Sequence, residues 1–152
     1  MRLVVDTWIA ASPEACFDAS RDIDLHSRTV AHTDERAVGG RTSGLIELGE
    51  EVAWEGVHFG LRLRHRSRIT GFDRPRWFQD AMVAGHFRSF VHDHHFAPER
   101  GGTLMRDVLE FRSPYGPLGA LVDQLVLGRY LRRFLATRAE ALRVELERRA
   151  RA

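Results

Sequence analysis

The sequence contains no lysine and no asparagine, so all 23 of its basic residues are arginine. Lysine and asparagine both have A-rich codons, and their joint absence indicates a GC-rich bacterial genome rather than a need for guanidinium groups. Because arginine has a very high pKa, this bias contributes to a pI of about 9.3 although the formal net charge is only +2. The basic pI is therefore weak support for nucleic-acid binding.

Cysteine and long apolar runs are also scarce. Cys16 is the only cysteine, which excludes an intramolecular disulfide and fits a reducing cytoplasm. The longest apolar segment, residues 118–127, is interrupted by Asp123 and Gln124 and is too short to cross a bilayer. The chain begins with a strand-like run instead of a signal peptide, so we expect a cytoplasmic protein without a membrane span.

No phosphate-binding loop is present either. Gly39, Gly40, Gly101 and Gly102 have the spacing of turn glycines, and none belongs to a dinucleotide or nucleotide motif. We therefore expect no cofactor. The length of 152 residues fits a single domain over 1–152 with a substantial core.

The spacing of apolar residues predicts a mostly antiparallel protein with helices near both ends. A first strand at 2–10 is followed by a short helix that starts at Ser12 and Pro13, and by a second helical segment at 22–27. Residues 29–41 have an irregular, polar pattern. Strand patterns joined by short turns then predict a meander. These segments are 45–48, 51–59, 61–72, 76–83, 86–97 and 102–112.

A long helix is predicted from Pro117 to about residue 149. Its apolar residues mostly recur at intervals of three or four, which predicts one buried stripe. The stripe consists of Leu118, Leu121, Leu125, Leu131, Phe134, Leu135, Leu142 and Leu146.

Arginine occupies every second position in the segment 61–72, at Arg62, Arg64, Arg66 and Arg68. This alternation predicts a solvated outer face that discourages aggregation. No aromatic side chains for base stacking are interleaved with the arginines, so we expect no nucleic-acid partner.

Several motifs resemble the START-like (SRPBCC) superfamily, which includes polyketide cyclases and dehydrases, pollen-allergen-type proteins and lipid carriers. The motifs are Ile-Ala-Ala-Ser-Pro-Glu at 9–14, Gly-His-Phe at 85–87, Thr-Leu-Met-Arg-Asp at 103–107 and Phe-Arg-Ser-Pro-Tyr-Gly-Pro-Leu-Gly at 111–119. The resemblance covers nearly the whole chain, and its later motifs are similar to a bacterial branch. It implies an α+β helix-grip fold, with a curved antiparallel sheet of six to seven strands around a long C-terminal helix. A cavity for a lipophilic ligand is expected between them.

Imidazoles and carboxylates occur on strand faces that are otherwise apolar. His92 and His94 share a face with Phe96, and Asp107 shares a face with Met105. Because strands adjacent in a meander are neighbours in space, Asp80, His92, His94 and Asp107 are predicted to lie in one region of the sheet. A β-bulge would reverse the predicted orientation of the residues that follow it.

Three interpretations of this cluster are open. It is a buried network that orients polar side chains. It is the polar part of a ligand pocket, in which a His–Asp pair also moves protons. Or it is a metal site in which His92 and His94 act with Asp107 or Asp80.

The leading functional hypothesis is a protein that binds a small hydrophobic molecule between its sheet and its C-terminal helix. The residues expected to contact the ligand are Trp54, His65, Phe78, Met82, Phe90, His92, His94, Met105, Asp107, Leu125 and Phe134.

Two alternatives remain. One is an enzyme of cyclase, dehydratase or hydrolase type, in which His92 or His94 is the general base and Asp107 or Asp80 its partner. The other is a stress-related or partner-binding protein, and a homodimer is compatible with the sequence.

Other titratable residues are expected to be peripheral. His95 should face outward, and His26 and His32 are expected to be loop histidines, exposed to solvent or placed in a lid over the pocket. Cys16 is expected to be a half-buried helix residue without a catalytic role.

Overall fold

Seven strands form one antiparallel sheet in the computed structural model, which describes residues 1–152. The strands are β1 (Arg2–Ile9), β2 (Arg36–Gly40), β3 (Glu51–His58), β4 (Leu61–Asp73), β5 (Trp77–Ala84), β6 (Ser89–Glu99) and β7 (Gly102–Arg112). Their order in the sheet is β1-β7-β6-β5-β4-β3-β2, so β2 to β7 form the predicted meander and β1 pairs with its last strand.

Two short helices connect β1 to β2. The helix α1 (Pro13–Ser20) begins as predicted, since Ser12 Oγ accepts a hydrogen bond from the Ala15 amide at 3.2 Å. The helix α2 (Ile23–Thr29) is capped by the carboxylate of Asp22, which accepts from the amides of Asp24 and Leu25. A 3₁₀ turn at Ala31–Thr33 then leads into β2.

A long helical segment from Gly116 to Arg151 ends the chain. It consists of α3 (Gly116–Val122), a π-helical segment (Asp123–Leu127) and α4 (Gly128–Arg151). The buried Asp123 carboxylate accepts from the Ser113 amide and hydroxyl at 3.1 and 2.5 Å, which fixes the start of this segment to the end of β7. Because α4 packs against β1, α1 and α2 within the curved sheet, the architecture is the predicted α+β helix grip.

The core fills one end of the space between the sheet and α4. Phe17 of α1 lies at its centre and contacts Phe72, Phe78 and Phe96 edge-on, with ring centroids 5.1 to 5.5 Å apart. The space between the first half of α4 and strands β3 to β6 is not filled by side chains, and a cavity remains there.

The second strand differs from its prediction. Residues 36–40 form β2 although 29–41 had an irregular pattern, and 45–48 form no strand. The sequence pattern did not predict β2 because the strand contains Gly39 and Gly40, which have low strand propensity, and has a register shift after Ala37. A Cβ atom on Gly40 would lie 2.2 Å from the Glu51 carbonyl oxygen, so the close pairing with β3 requires glycine there.

The prediction of one continuous buried stripe on the C-terminal helix was wrong for its first part. Leu118, Leu121 and Leu125 are exposed, and the exposed fraction of Leu125 is 57%. Apart from the π-helical segment that follows it, α3 has no extensive contact with another element, so the sheet covers little of this first part of the helix. Leu135, Leu142 and Leu146, which follow the π segment, are buried as predicted.

The arginines of β4 are all exposed, as predicted. They pair with carboxylates on the same outer face, including Glu51 and Glu55 of β3. No helix in the structure combines the length and the apolar character needed to cross a membrane.

Candidate functional site

A cavity of about 330 Å³ lies between α2, the first half of α4 and strands β3 to β6. Its wall is mainly apolar, and its volume is at the lower end of the range for small-molecule sites. Several residues expected at a ligand do line it, together with Asp80. They are Trp54, His65, Phe78, Phe90, His92, His94 and Phe134.

Four residues expected at the ligand do not line the cavity. Met105 and Asp107 are completely enclosed beneath its wall, and Met82 lies beside it on β5. Leu125, which lies within the π-helical segment, points to solvent. Strand parity identified the inward faces correctly, but it could not show how deep each side chain lies.

Asp80, His92, His94 and Asp107, called here the Asp107 cluster, are brought together by strand pairing as predicted. Asp80 of β5 is directly opposite His92 of β6, and His94 is directly opposite Asp107 of β7. The polar contacts join residues that are diagonal to each other on neighbouring strands as well as residues that are directly opposite. His92 Nε2 lies 3.0 Å from Asp107 Oδ1, and His94 Nε2 lies 3.2 Å from Asp80 Oδ2.

His94 stands between two carboxylates. Its Nδ1 is 2.8 Å from Asp107 Oδ1, but the oxygen lies off the direction of the N–H bond, so this contact is an ion pair without an aligned hydrogen bond. Both ring nitrogens thus face negative charge, an arrangement that suits a doubly protonated imidazolium.

The pKa values of the two histidines in the Asp107 cluster shift in opposite directions. Burial lowers the pKa of His94, but its contacts with Asp107 and Asp80 outweigh burial and raise that pKa above the ordinary value. Burial and the neighbouring His94 lower the pKa of His92. Burial raises the pKa of each carboxyl, yet the histidines lower the pKa of Asp80 and bring that of Asp107 far below its usual range. These directions favour the charged form of His94, the neutral form of His92 and the ionised form of both carboxyl groups.

The same cluster offers ligands for a metal ion. Asp80, His92 and His94 present ligand atoms that all lie within 4.8 Å of one another. Two imidazoles and a carboxylate form a donor set that Zn²⁺ uses, and Asp107 would then be the carboxylate that orients both imidazoles.

A second polar cluster lies elsewhere in the cavity wall and was not predicted. It consists of His26, Glu35, His58 and Tyr130 and is called here the Glu35 cluster. His26 Nε2 is 2.6 Å from Glu35 Oε1, His58 Nε2 is 3.6 Å from Glu35 Oε2, and His58 Nδ1 is 2.5 Å from the Tyr130 hydroxyl. The ring of Trp54 packs on His26 with centroids 4.2 Å apart.

Electrostatics at the Glu35 cluster favour an ionised carboxylate. Burial raises the pKa of Glu35, but the hydrogen bond with His26 and the nearby imidazole of His58 lower it far below its usual range. Burial lowers the pKa of His26 more than Glu35 raises it. The expectation of a loop position for His26 was wrong, since it lies on α2 against the cavity, whereas His32 and His95 are exposed as expected. The alternation in the strand pattern 51–59 puts His58 on the same face as Val52 and Trp54, and this was the only sequence signal for the cluster.

Arg138 of α4 also lines the cavity and is 5% exposed. Its Nη2 donates to the Ser20 carbonyl at 3.0 Å, and its Nε has no partner. The sequence did contain a signal, because Arg138 occupies a position on the buried stripe between Leu135 and Leu142.

No protein-family model matches the sequence, and neither does any curated protein. Solved structures do match. TTHA0849 from Thermus thermophilus is 18% identical with a TM-score of 0.73, covering 93% of this chain and 97% of its own. CV1439 from Chromobacterium violaceum is 12% identical with a TM-score of 0.74, covering 96% of both chains. Major latex-like protein 151 from Panax ginseng is 15% identical with a TM-score of 0.66, covering 96% of this chain and 97% of its own. These likenesses show that the fold is START-like, of the SRPBCC type.

Proposed function

We propose that this protein binds a small, mostly hydrophobic molecule in the cavity between its sheet and its C-terminal helix. The observation that carries the proposal is a cavity of about 330 Å³ with apolar walls and a few convergent polar groups. Those groups belong to the Asp107 cluster and the Glu35 cluster, which provide charged and neutral hydrogen-bonding partners for one polar end of a ligand. The proposal places the protein in the cytoplasm, where its single, buried Cys16 stays reduced.

Native mass spectrometry of the freshly purified, untagged protein tests this function. We expect an organic mass increment that disappears on denaturation. Fatty acids, polyketide-like aromatics and other lipids are then titrated to measure affinity directly.

Two variants of β4 link any binding to the cavity. Ser67 lines the cavity, and Ser67→Phe should fill part of it and weaken binding at least tenfold. Thr70 is exposed, so Thr70→Phe is the matched control that should bind like the wild type. Absence of both a bound mass and any titrated ligand would reject the proposal, as would equal binding by the two variants.

An acid–base enzyme is the second candidate, and the geometry favours His92 as its base. His92 lines the cavity, has Asp107 at 3.0 Å to orient it, and has a lowered pKa that favours its neutral form, whereas the pKa of His94 is raised. Hydrolysis of 1-naphthyl acetate is a suitable test. Catalysis by this pair would be lost in His92→Gln and kept in His95→Gln, which alters an exposed neighbour on the same strand.

A partner-binding role is the third candidate. Exposed apolar side chains follow one another along the first part of the C-terminal helix, a feature of interaction surfaces. They are Tyr115, Leu118, Leu121, Val122, Leu125 and Val126. Light scattering over a range of concentrations would reveal a homodimer, whereas a constant monomer mass would count against that form of the hypothesis.

A further inference from the structure

Arg138 is a buried cation without a counter-ion. No carboxylate oxygen lies within 4.0 Å of its guanidinium, and the Ser20 carbonyl is the only hydrogen-bond acceptor that it contacts. The other arginines at the cavity differ in this respect, since Arg21 pairs with Asp18 and Glu47, and Arg64 pairs with Glu55. Arg138 is thus the cavity arginine whose charge is left uncompensated by a carboxylate.

The position of Arg138 makes this lack of a partner costly. A guanidinium has five N–H donors, and here only one of them is used. Burial of an unpaired charge is strongly unfavourable, and a leucine or methionine at this place would simply continue the apolar stripe from Leu135 to Leu142. The unfavourable burial of this guanidinium is explained if a bound anion completes its contacts.

We propose that Arg138 is the anion anchor of the cavity and that the ligand is an amphiphile with an apolar body and one carboxylate. This inference rests on the proposed ligand-binding function. The planar guanidinium matches a carboxylate in a two-pronged contact, and the apolar wall accommodates the rest of the molecule. Asp80 and Glu35 are ionised elsewhere in the wall, so they disfavour a second carboxylate and accept hydrogen bonds from a ligand hydroxyl instead.

Matched pairs of acids and alcohols test the anchor. Decanoate is compared with 1-decanol, and 1-naphthoate with 1-naphthalenemethanol, by calorimetric titration of the full-length protein. We expect each acid that fits to bind about tenfold more tightly than its alcohol, since a charge-assisted contact to a buried cation is made only by the acid. Arg138→Met should abolish this preference while leaving alcohol affinity unchanged. Arg133→Met, which alters an exposed arginine on the same helix, should keep the preference.

Stability of the ligand-free protein separates an anchor from a structural arginine. If Arg138 serves the ligand, Arg138→Met should have a midpoint of thermal unfolding equal to or above that of the wild type. A structural role predicts a lower midpoint. Should Arg138→Met not fold, the anchor is rejected, because the side chain is then needed for folding.

The outcomes also distinguish the anchor from the underlying function. Equal affinity of the wild type for acids and alcohols would overturn the anchor and leave ligand binding intact. If the wild type binds neither acids nor alcohols, both the anchor and the ligand-binding function are overturned. If Arg138→Met still binds acids more tightly than alcohols, the anion contacts another residue, and the role proposed for Arg138 is rejected.

Discussion

Asp107 organises two imidazoles although its own side chain does not reach the cavity. One oxygen, Oδ1, lies 3.0 Å from His92 Nε2 and 2.8 Å from His94 Nδ1, and the carboxylate is 1% exposed. A buried carboxylate in such a place is stable only with its cationic and donor partners present. Asp107 is therefore a positioning residue for His92 and His94, whichever molecule the cavity holds.

The first prediction concerns this carboxylate. Asp107→Asn removes the charge that balances His94 and should lower the free energy of unfolding by about 3 to 5 kcal/mol, the usual cost of breaking a buried ion pair. Urea denaturation measures the change. Asp6→Asn is the matched control, because Asp6 pairs with Arg106 on the exposed face of β1 and should contribute less than about 1 kcal/mol. Equal losses in the two variants would contradict the buried ion pair.

At the scale of elements, the C-terminal helix reaches the cavity only from Leu127 onward. Leu127, Leu131 and Phe134 line it, whereas Leu125, only two residues before Leu127, is exposed. The Asp123 carboxylate holds the beginning of this segment against Ser113. The cavity wall and the exposed apolar surface next to it thus belong to successive parts of one helical segment.

Paired alanine substitutions test this difference in burial along the helix. Leu135→Ala should lower the free energy of unfolding by about 2 to 5 kcal/mol, because it empties a buried position. Leu125→Ala should change it by no more than about 0.5 kcal/mol, because its side chain contacts solvent. Chemical denaturation of both variants gives the comparison. A loss above about 2 kcal/mol for Leu125→Ala would mean that Leu125 is covered.

At the scale of the whole molecule, buried titratable groups of both kinds surround one cavity. The pKa values of Asp80, Asp107 and Glu35 are lowered, so their contribution to stability is present above about pH 4.5 and is lost as the pH falls. Burial lowers the pKa of His92 and of His65, and these rings oppose folding once the pH is low enough to protonate them in the unfolded chain. All five groups therefore destabilise the fold in acid.

His94 acts in the opposite direction. Because its folded pKa is raised, its contribution to stability is complete below pH 6.5 and disappears as the pH rises through the folded value. Taken with the other buried groups, this predicts maximal stability near neutral pH.

Thermal unfolding followed by circular dichroism from pH 3 to pH 9 measures this profile. We expect the midpoint to fall on both sides of neutrality. The alkaline decline should be absent in His94→Gln and present in His95→Gln, since His95 is exposed. A wild-type midpoint that rises steadily up to pH 9 would show that His94 is not charged in the folded protein.

Sequence alone determined the order of most elements and the faces of the central strands. The alternation in β4, β6 and β7 has a period of two that follows directly from strand geometry, so the inward positions of His92, His94 and Asp107 could be read without a structure. Residue propensity failed at β2, where Gly39 and Gly40 pair closely with β3 for a steric reason that depends on the partner strand.

Only the tertiary structure decided which groups meet. His26, Glu35, His58 and Tyr130 come from four separate parts of the chain, and no local period connects them. Depth within the core separated Asp107 from the cavity, and Leu125 is exposed because it lies on a part of the helix that the sheet does not cover. Arg138 was visible as a charge on an apolar stripe, but that it lacks a partner depends on every element packed around it, because an ion pair forms between residues distant in sequence.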